Sequence, residues 1–249
     1  MNKHQQFIIN ADDCGYNKSI NCAIAQMITL KKISSTTIMA NMEDLEGAKD
    51  LYEQYCGEIS FGIHFNLSEG EPLLYSQALL DYGYYKESEG RVIMSGKDYY
   101  YRPLPRYIRK EILNEILAQF YCLKDNGFDI SHFDSHEHLH TSLGFYPLIP
   151  EIIELTGINK MRIMRNVVRN PMSRTLRNLW LMDIKRRSKE IRTSNYFCSY
   201  IEYMKNCELL SMKQGIIELM CHPGANLEET EAMIGNDYCK FNVVSYNDI

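Results

Sequence analysis

The 249-residue sequence lacks several features that mark particular classes of protein. Its eight cysteines form no CxxC pair and no closely spaced framework, so we expect reduced and mostly buried thiols. It has no stripe of Lys and Arg, and its formal net charge is -5, so we expect no nucleic-acid partner. It has no internal repeat and no apolar run of membrane length, so we expect no membrane partner.

A secretory signal is also missing from the N-terminal segment "MNKHQQFIINADD", which becomes polar and acidic after three apolar residues. We therefore expect a cytoplasmic protein. Hydrophobic residues make up 45% of the chain, which is enough to fill a sizeable core in one large α/β domain or two small ones.

Short apolar runs alternate with longer helical patterns along the chain. The first predicted strands are "QFIIN", "SSTTIMAN" and "EISFGIHFNL", and helices are predicted after the first two of them. A long helix from about Tyr107 ends near Gly127 and leads into a histidine-rich segment. Two further strand candidates, "KMRIMR" and "GIIELMCH", are separated by predicted helical material from about Pro171 to Met212. This order predicts a mainly parallel sheet closed or wrapped by helices, in one domain spanning residues 1–249.

The stretch from about residue 71 to residue 106 interrupts this alternation. It carries three prolines and, counted up to Tyr107, eight tyrosines. We interpret it as an insertion between the third strand and the long helix. Tyrosines in a loop are suited to stacking on a sugar or contacting a second subunit, because the ring packs on apolar faces while the hydroxyl stays in water. Packing onto the rim of the fold is the alternative without a binding role.

The segment with the most titratable side chains is "HFDSHEHLH", residues 132–140. Every second residue in it is His or Asp, so an extended backbone would direct all five of these side chains to one face. In a helix, by contrast, three of the histidines would stack at i, i+4 spacing. The five residues are His132, Asp134, His136, His138 and His140.

Aspartate and histidine residues also lie at the ends of three predicted strands. Asp12 and Asp13 lie where the first strand ends, His64 lies at the tip of the third, and His222 precedes a Pro-Gly turn after the last. Taken singly, each has an ordinary structural explanation, a helix cap for one aspartate and a hydrogen-bonded interior position for each histidine. Taken together, Asp and His from different strand ends are typical ligands of a divalent metal that keeps positions open for water and substrate.

Histidines two residues apart cannot all bind one ion without strain. Some of the five residues in the histidine-rich segment must therefore support a ligand or act on the substrate. Asp134 and His140 are the stronger candidates for support, because a second group commonly holds a ligating imidazole through its other ring nitrogen.

The chain resembles the YdjC family of carbohydrate deacetylases, which includes the chitooligosaccharide deacetylases, through the segments "INADDCGYNKSIN", "STTIMAN", "FGIHFNLSEG", "HFDSHEHLH" and "LMCHPG". Their order and spacing match from about residue 6 to residue 224. The resemblance implies a (β/α) barrel-like fold, irregular or incomplete, and a homodimer. It also implies one divalent metal ion, Mg²⁺ first and Zn²⁺ as the alternative, and removal of acetyl groups from N-acetylglucosamine oligosaccharides such as diacetylchitobiose.

The resemblance further assigns roles to individual residues. It implies that Asp13, His64 and His136 are the metal ligands. Asp12 would be the catalytic base, and His222, by analogy with other metal-dependent sugar deacetylases, would be the acid. The other candidates for binding substrate or supporting the ligands are Asp134, His138, His140 and Arg162.

Three further positions bear on the site. Arg162 would lower the pKa of Asp12 or bind a substrate hydroxyl, or else form a surface ion pair. Cys14 replaces the aromatic residue that is usual in the family, and a smaller side chain there would reshape the pocket floor. Glu137 replaces a common His and has the opposite parity to the ligands, so we expect it to face away from the metal.

These residues predict metal-assisted amide hydrolysis, with Asp12 deprotonating water and His222 delivering a proton to the sugar nitrogen. Three alternatives stay open. A barrel glycosidase would use Asp12 and Asp134 as its carboxylate pair but has no use for clustered histidines. A metal-dependent phosphoesterase would require additional basic side chains, and a non-catalytic sugar-binding protein would not need every candidate catalytic position.

Overall fold

The fold is formed by residues 5–167, 171–210, 213–235 and 241–249, the part of the chain that the computed structural model describes. The strands are β1 (Gln5–Cys14), β2 (Ser35–Ile38), β3 (Ser60–Phe65), β4 (Tyr85–Ser88), β5 (Arg91–Met94), β6 (Phe133–Ser135), β7 (Tyr196–Ser199) and β8 (Gly215–Cys221). The α-helices are α1 (Lys18–Thr29), α2 (Leu45–Tyr55), α3 (Gln77–Tyr82), α4 (Arg106–Asp125), α5 (Ile149–Thr156), α6 (Pro171–Arg187), α7 (Tyr200–Asn206) and α8 (Leu227–Gly235).

Six of the strands form one parallel sheet in the order β6-β3-β2-β1-β8-β7. Helices lie between most of these strands in the chain, as the alternating pattern predicted. Single β-bridges connect the two edges of the sheet, from Met161 to Phe133 in β6 and from Lys160 to Arg192 just before β7. The fold is therefore an incomplete (β/α) barrel, which confirms the predicted fold class.

Two predicted elements differ from the structure. The segment "KMRIMR" contributes the two bridges instead of a regular strand. The material predicted as helical from Pro171 to Met212 contains β7 between α6 and α7, and Met212 itself lies outside the described residues. The strand β7 runs directly into α7, because the Ser199 hydroxyl caps the helix by accepting a hydrogen bond from the Glu202 N–H. Without a turn between them, the sequence does not separate strand from helix.

Buried apolar stripes fix the helices against the sheet. In α1, Ile20, Ile24 and Met27 recur at helical spacing and are buried. This helix begins where the Asn17 side chain accepts a hydrogen bond from the Ile20 N–H at 3.0 Å. The helix α4 likewise buries a stripe that includes Ile108, Ile112 and Ile116, and it ends before Gly127, whose φ of +88° favours glycine. This packing places the carboxyl ends of the parallel strands together at one end of the fold.

The amino end of the sheet is filled by the last residues of the chain. Backbone hydrogen bonds join Phe7 in β1 to residues 242 and 244. The Tyr246 ring stacks on His132 with 3.7 Å between ring centroids, and the Tyr246 hydroxyl donates to Glu218 Oε2 at 2.7 Å. Tyr246 and His132 are both buried, so side chains close this end of the barrel.

The Tyr-rich insertion holds α3 and the antiparallel hairpin β4-β5 between β3 and α4. It contacts the loop after β3 through a backbone hydrogen bond from Gly96 N–H to the Leu67 carbonyl at 2.8 Å. Its other end contacts the segment after β6, where the Leu143 N–H donates to the Tyr100 carbonyl at 3.1 Å. The insertion therefore lies beside the carboxyl ends of β3 and β6.

The described cysteines are free thiols, but the prediction that most of them are buried is wrong. Their surroundings follow position in the fold: cysteines in strands are buried, whereas those on helix surfaces or at helix ends are exposed or half-buried. The buried thiols are Cys14, Cys198 and Cys221, the exposed ones are Cys22, Cys56 and Cys207, Cys122 is half-buried, and Cys239 lies outside the described residues.

No helix among the described residues combines the length and apolar character needed to cross a membrane.

Candidate metal centre

Three side chains from different strand ends meet at the carboxyl end of the sheet. Asp13 lies at the end of β1, His64 near the end of β3, and His136 directly after β6. The Asp13 Oδ1 atom lies 3.2 Å from His64 Nε2 and 2.9 Å from His136 Nδ1. One ligand atom from each residue lies within 4.8 Å of the others, which is close enough for a single ion to contact all three. The structure thus brings together the three residues expected to be metal ligands.

Asp13 reaches this site because β1 departs from regular strand geometry. Adjacent strand residues normally point to opposite faces of a sheet. Asp13 has a φ of +66°, in the left-handed region, and the register between β1 and β2 shifts between Ala11 and Cys14. This irregularity brings the carboxylates of both Asp12 and Asp13 close to His64. A residue held in this region costs about 1–3 kcal/mol, and such strain is concentrated at functional sites.

His64 is oriented by its neighbour in the next strand. Its register partner in β6 is Asp134, and Asp134 Oδ1 lies 2.6 Å from His64 Nδ1. The Thr37 hydroxyl lies 3.2 Å from the same nitrogen. Because Nδ1 is engaged by these groups, Nε2 is the nitrogen that faces Asp13. Asp134 therefore occupies a supporting position behind a candidate ligand.

His136 has a second carboxylate partner that the sequence did not reveal. Glu69 Oε1 lies 2.6 Å from His136 Nε2, while Asp13 contacts the other ring nitrogen. Glu69 lies in the loop after β3, inside the segment "FGIHFNLSEG", but it has no strand-end position and was given no role from the sequence. The contact depends on the folding of that loop, which sequence spacing does not show.

Arg162 lies fully buried next to the candidate ligands. Its Nη1 and Nη2 atoms donate to the two Asp12 oxygens at 2.6 and 2.7 Å, and Nη1 lies 2.7 Å from Asp134 Oδ2. Its Nε donates to Glu218 Oε1 at 2.6 Å. The alternative of a surface ion pair is therefore wrong. Because this positive charge already lies between the carboxylates of Asp12 and Asp134, their grouping with His64 is a poor site for a cation.

The carboxylates and imidazoles of the site shift one another's pKa values. Burial alone lowers the pKa of His64, but the charge of Asp134 and hydrogen bonds with Asp13 and Asp134 outweigh burial and raise it to about 10. Burial lowers the pKa of His136, but the hydrogen bonds that its ring donates to Asp13 and Glu69 outweigh burial and raise this pKa to about 9. For Asp13, burial is outweighed by the two histidines, which hold its pKa well below the usual range. Without an ion, both imidazoles therefore carry protons near neutral pH.

Asp12 and His222 lie beside this group, because pairing of β1 with β8 brings the ends of the two strands together. Burial raises the pKa of Asp12, but the charge and hydrogen bonds of Arg162 outweigh it and hold this pKa below the usual value. Burial lowers the pKa of His222, but the hydrogen bond with Glu229 and the charges of Asp12 and Asp13 raise it above the usual value. Near neutral pH, Asp12 is therefore ionised, and His222 has an increased tendency to be protonated.

The alternation of the histidine-rich segment ends at His136. The strand β6 stops at Ser135, and Glu137 and His138 have positive φ values of 53° and 55° inside a short 3₁₀ helix. His140 folds back, so that its Nδ1 lies 2.7 Å from the Ser135 hydroxyl. The extended-backbone alternative, in which all five alternating residues would share one face, therefore applies only as far as His136. Glu137 is exposed and is absent from the candidate metal-binding groups of the described residues.

A cleft of about 370 Å³ gives access to the candidate ligands. Small-molecule sites usually have volumes of about 300–1,000 Å³, so the cleft is large enough for part of a substrate. Asp13, His136 and Glu69 line it together with Tyr16. Cys14 was expected to reshape the pocket floor, but it lies fully buried in the hydrophobic core.

The chemistry of the donor set fits a divalent metal ion. One carboxylate and two imidazoles come from Asp13, His64 and His136, and each imidazole has a carboxylate on its other nitrogen. Imidazole ligands are suited to Zn²⁺ and other transition metals, whereas Mg²⁺ prefers oxygen ligands and water. The residues therefore suit a single ion, and they leave open which metal it is.

Known proteins are similar in sequence to this chain over much of its length. The chain is 30% identical to a chitooligosaccharide deacetylase from Yersinia pestis (strain Pestoides F) over 241 residues, which cover 93% of this chain and 85% of the relative. It is 32% identical to a carbohydrate deacetylase from Brevibacillus brevis over 149 residues, 60% of this chain. That second match spans 56% of the relative, little more than half of its length.

The fold is shared with a solved structure, that of a putative cellobiose-phosphate cleavage protein from Enterococcus faecalis V583. The TM-score is 0.76, with 99% of each chain covered and 16% sequence identity, so this likeness shows a common fold alone. The profile of the family described as YdjC-like protein matches residues 6–244, almost the whole sequence. The chain therefore belongs to the YdjC-like protein family.

Proposed function

We propose that the protein is a metal-dependent hydrolase that removes acetyl groups from N-acetylated sugars, in particular N-acetylglucosamine oligosaccharides such as diacetylchitobiose. The observation that supports this most directly is the contact of Asp13 with both His64 and His136 at a cleft. Asp12 and His222 lie beside these residues with the charges that a base and an acid need. The names of the relatives, carbohydrate deacetylase and chitooligosaccharide deacetylase, support the same reaction.

Asp12 is the proposed general base. A divalent ion held by Asp13, His64 and His136 would supply Lewis acidity, which acidifies water and polarises the acetyl carbonyl. Arg162 holds both oxygens of Asp12 and keeps the carboxylate ionised and fixed in orientation. Each carboxylate oxygen has two lone pairs, so contact with Arg162 leaves Asp12 able to accept a proton from the attacking water.

His222 is the proposed general acid. Its side chain is 34% exposed, and Gly224, two residues further along the chain, lines the cleft. Its backbone N–H donates to Glu229 Oε2 at 2.7 Å, which anchors the residue at the end of β8. A protonated His222 would donate to the sugar nitrogen, so that the amine leaves as a neutral group.

The rim of the cleft is the proposed sugar-binding surface. The Tyr-rich insertion lies beside the carboxyl ends of β3 and β6, and Tyr101 in it is 84% exposed. The Tyr101 ring packs at 4.8 Å from the Tyr100 ring, which limits its freedom before substrate binds. An exposed tyrosine ring stacks on the apolar face of a sugar while its hydroxyl stays hydrated.

A glycosidase is a weaker explanation of the same geometry. Its two carboxylates would be Asp12 and Asp134, but both contact the Arg162 guanidinium group. A general acid must carry a proton, and Arg162 holds the pKa of Asp12 below its usual value, so Asp12 is unsuited to that role. No observation favours a phosphoesterase over the deacetylase.

Product analysis with an N-acetylglucosamine disaccharide tests the proposal. We expect release of acetate that stops when a chelator removes the metal and returns when Zn²⁺ or Mg²⁺ is added. Release of reducing sugar instead of acetate, or phosphate release from a sugar phosphate without acetate release, would contradict the proposal. Acetate release that is insensitive to chelation would contradict the metal-dependent mechanism.

A further inference from the structure

We propose that Glu69 is a positioning residue that fixes His136 as a metal ligand by holding the ring nitrogen on the side away from the ion. This inference rests on the proposed function, because it requires a divalent ion at Asp13, His64 and His136. It gives a role to Glu69, which lies inside the segment "FGIHFNLSEG" but which neither the resemblance nor the strand ends assigned to the site. Because the Tyr-rich insertion contacts the loop that carries Glu69, the insertion would also help to hold Glu69 against His136.

The first argument is the clamping of the His136 ring between two carboxylates. Glu69 Oε1 lies 2.6 Å from Nε2, and Asp13 Oδ1 lies 2.9 Å from Nδ1. A neutral imidazole carries one proton, on one of its two nitrogens. With that proton on Nε2 and donated to Glu69, the lone pair of Nδ1 points to the side of Asp13, where the ion would bind.

The second argument is that the other histidine ligand has the same arrangement. Asp134 Oδ1 contacts His64 Nδ1 at 2.6 Å, the same distance as that between Glu69 and His136 Nε2. The two rings therefore present opposite nitrogens to the ion, Nε2 from His64 and Nδ1 from His136. Each ligand has a carboxylate behind it, a common arrangement at metal sites in which the outer group fixes the tautomer and the orientation of the ring.

The third argument is the rigidity of the loop that carries Glu69. Asn66 is fully buried, its Oδ1 accepts from the Glu69 N–H at 3.3 Å, and its Nδ2 donates to the Glu69 carbonyl at 2.8 Å. Gln119 in α4 holds Asn66 in turn, through hydrogen bonds of 3.0 and 2.6 Å to its backbone N–H and carbonyl. The Glu69 backbone is thus fixed before an ion binds, as positioning of a ligand requires.

The fourth argument is the partial exposure of the pair. The side chain of Glu69 is 36% exposed and that of His136 is 17% exposed. Contacts between partly exposed charged groups contribute little to folding stability. The loss of Glu69 should therefore be measurable in ion binding while the fold is retained.

Ion titration of Glu69 variants tests the inference, with Glu71→Ala as the matched control. Glu71 lies two residues further along the loop, is 59% exposed and pairs only at the surface, with Arg91 at 3.6 Å. Calorimetric titration with Zn²⁺ and with Mg²⁺ should show about 10- to 100-fold weaker binding by Glu69→Ala. Glu69→Gln should lose less, because its carbonyl oxygen still accepts from Nε2–H. Glu71→Ala should stay within about twofold of the wild type.

The tautomer of His136 provides a second measurement. In the Zn²⁺-loaded protein, the ¹⁵N shifts of the ring should show a protonated Nε2 and a metal-bound Nδ1. The Glu69→Ala variant should show a change in this pattern. A wild-type ring that is protonated on Nδ1 would overturn the inference, and so would equal ion affinity in the wild type and Glu69→Ala. Equal losses of ion affinity in Glu69→Ala and Glu71→Ala would show that removal of any nearby negative charge has the same effect, and this result would also overturn the inference.

The wild-type protein distinguishes failure of this inference from failure of the proposed function. If the wild type binds no divalent ion, both are overturned together. If the wild type binds the ion and releases acetate while Glu69→Ala binds the ion equally well, the inference alone is overturned.

Discussion

Replacement of Arg162 by leucine is the most informative test of how the site is held together. The Arg162 side chain is completely buried and contacts Asp12, Asp134 and Glu218 at 2.6 to 2.7 Å. Leucine would fill part of the space but would leave these buried carboxylates without a cation. Removal of one partner from a buried ion pair costs about 3–5 kcal/mol, because the remaining charge is uncompensated. We expect Arg162→Leu to lose at least this amount of unfolding free energy at neutral pH.

Arg165→Leu is the matched control, since the same residue type lies three positions further along the chain. The Arg165 side chain is 30% exposed and pairs with Glu202, which is 38% exposed, at 3.1 Å. A pair of this kind contributes about 0–1 kcal/mol. Urea denaturation of both variants at equal protein concentration measures the difference. Equal losses in the two variants, or a loss below about 1 kcal/mol for Arg162→Leu, would refute the buried network as a source of stability.

The cost of Arg162→Leu should also depend on pH. In the wild type, Asp12 has a pKa below its usual value of 3.8, so its contribution to stability is present above that value and lost as pH falls through the folded pKa. In the variant, the largest cause that lowers the pKa of Asp12 is removed, so this pKa rises toward or beyond its usual value because burial is no longer outweighed by Arg162. The deficit relative to the wild type should therefore be largest at neutral pH and shrink toward acid pH, which denaturation curves at several pH values will show.

Ion binding should release about two protons per ion at pH 7, because His64 and His136 have pKa values raised to about 10 and about 9 and a ligating nitrogen carries no proton. Calorimetry in buffers of different ionisation enthalpy measures this release, and its absence would contradict the assigned ligands. The two raised pKa values stabilise the fold without the ion below pH 6.5, and this stabilisation is lost as pH rises through about 9 to 10. The increase in Tm caused by the ion should therefore grow with pH across this window. Gly62→Ala should cost about 1–3 kcal/mol, because a Cβ would lie 2.5 Å from the His132 ring. Gly57→Ala, with nothing within 4 Å of the added Cβ, should cost less than this in the same urea experiment.

Strand ends explain why the ligand positions were predictable from the sequence. The carboxyl ends of parallel strands meet at one end of the sheet, so residues at the tips of β1, β3 and β6 become neighbours whatever the loops do. Asp13, His64 and His136 lie at such positions. The alternation from His132 to His136 also holds, because β6 is extended there, and it fails where Glu137 adopts a left-handed backbone.

The supporting residues were harder to predict, because tertiary contacts define them. Glu218 lies within an apolar strand pattern, and its partners Arg162 and Tyr246 come from distant parts of the chain. Glu69 depends on a loop folded around Asn66. The left-handed backbone of Asp13 is set by the irregular pairing of β1 with β2, which residue type does not indicate. Local patterns therefore locate the ligands, whereas the groups behind them require the folded structure.

The assignment of Asp13 as ligand and Asp12 as base is the central claim, and paired asparagine variants test it most directly. Calorimetric ion titration and acetate release from an N-acetylglucosamine disaccharide are measured for both. Asp12→Asn should bind the ion like the wild type while turnover falls by about 10²- to 10⁴-fold, as expected for the loss of a general base. Asp13→Asn should bind the ion more weakly and regain part of its activity with excess ion, because an amide is a poorer ligand than a carboxylate. If Asp12→Asn instead loses the ion and excess ion restores its activity, the two roles are reversed and the account is contradicted.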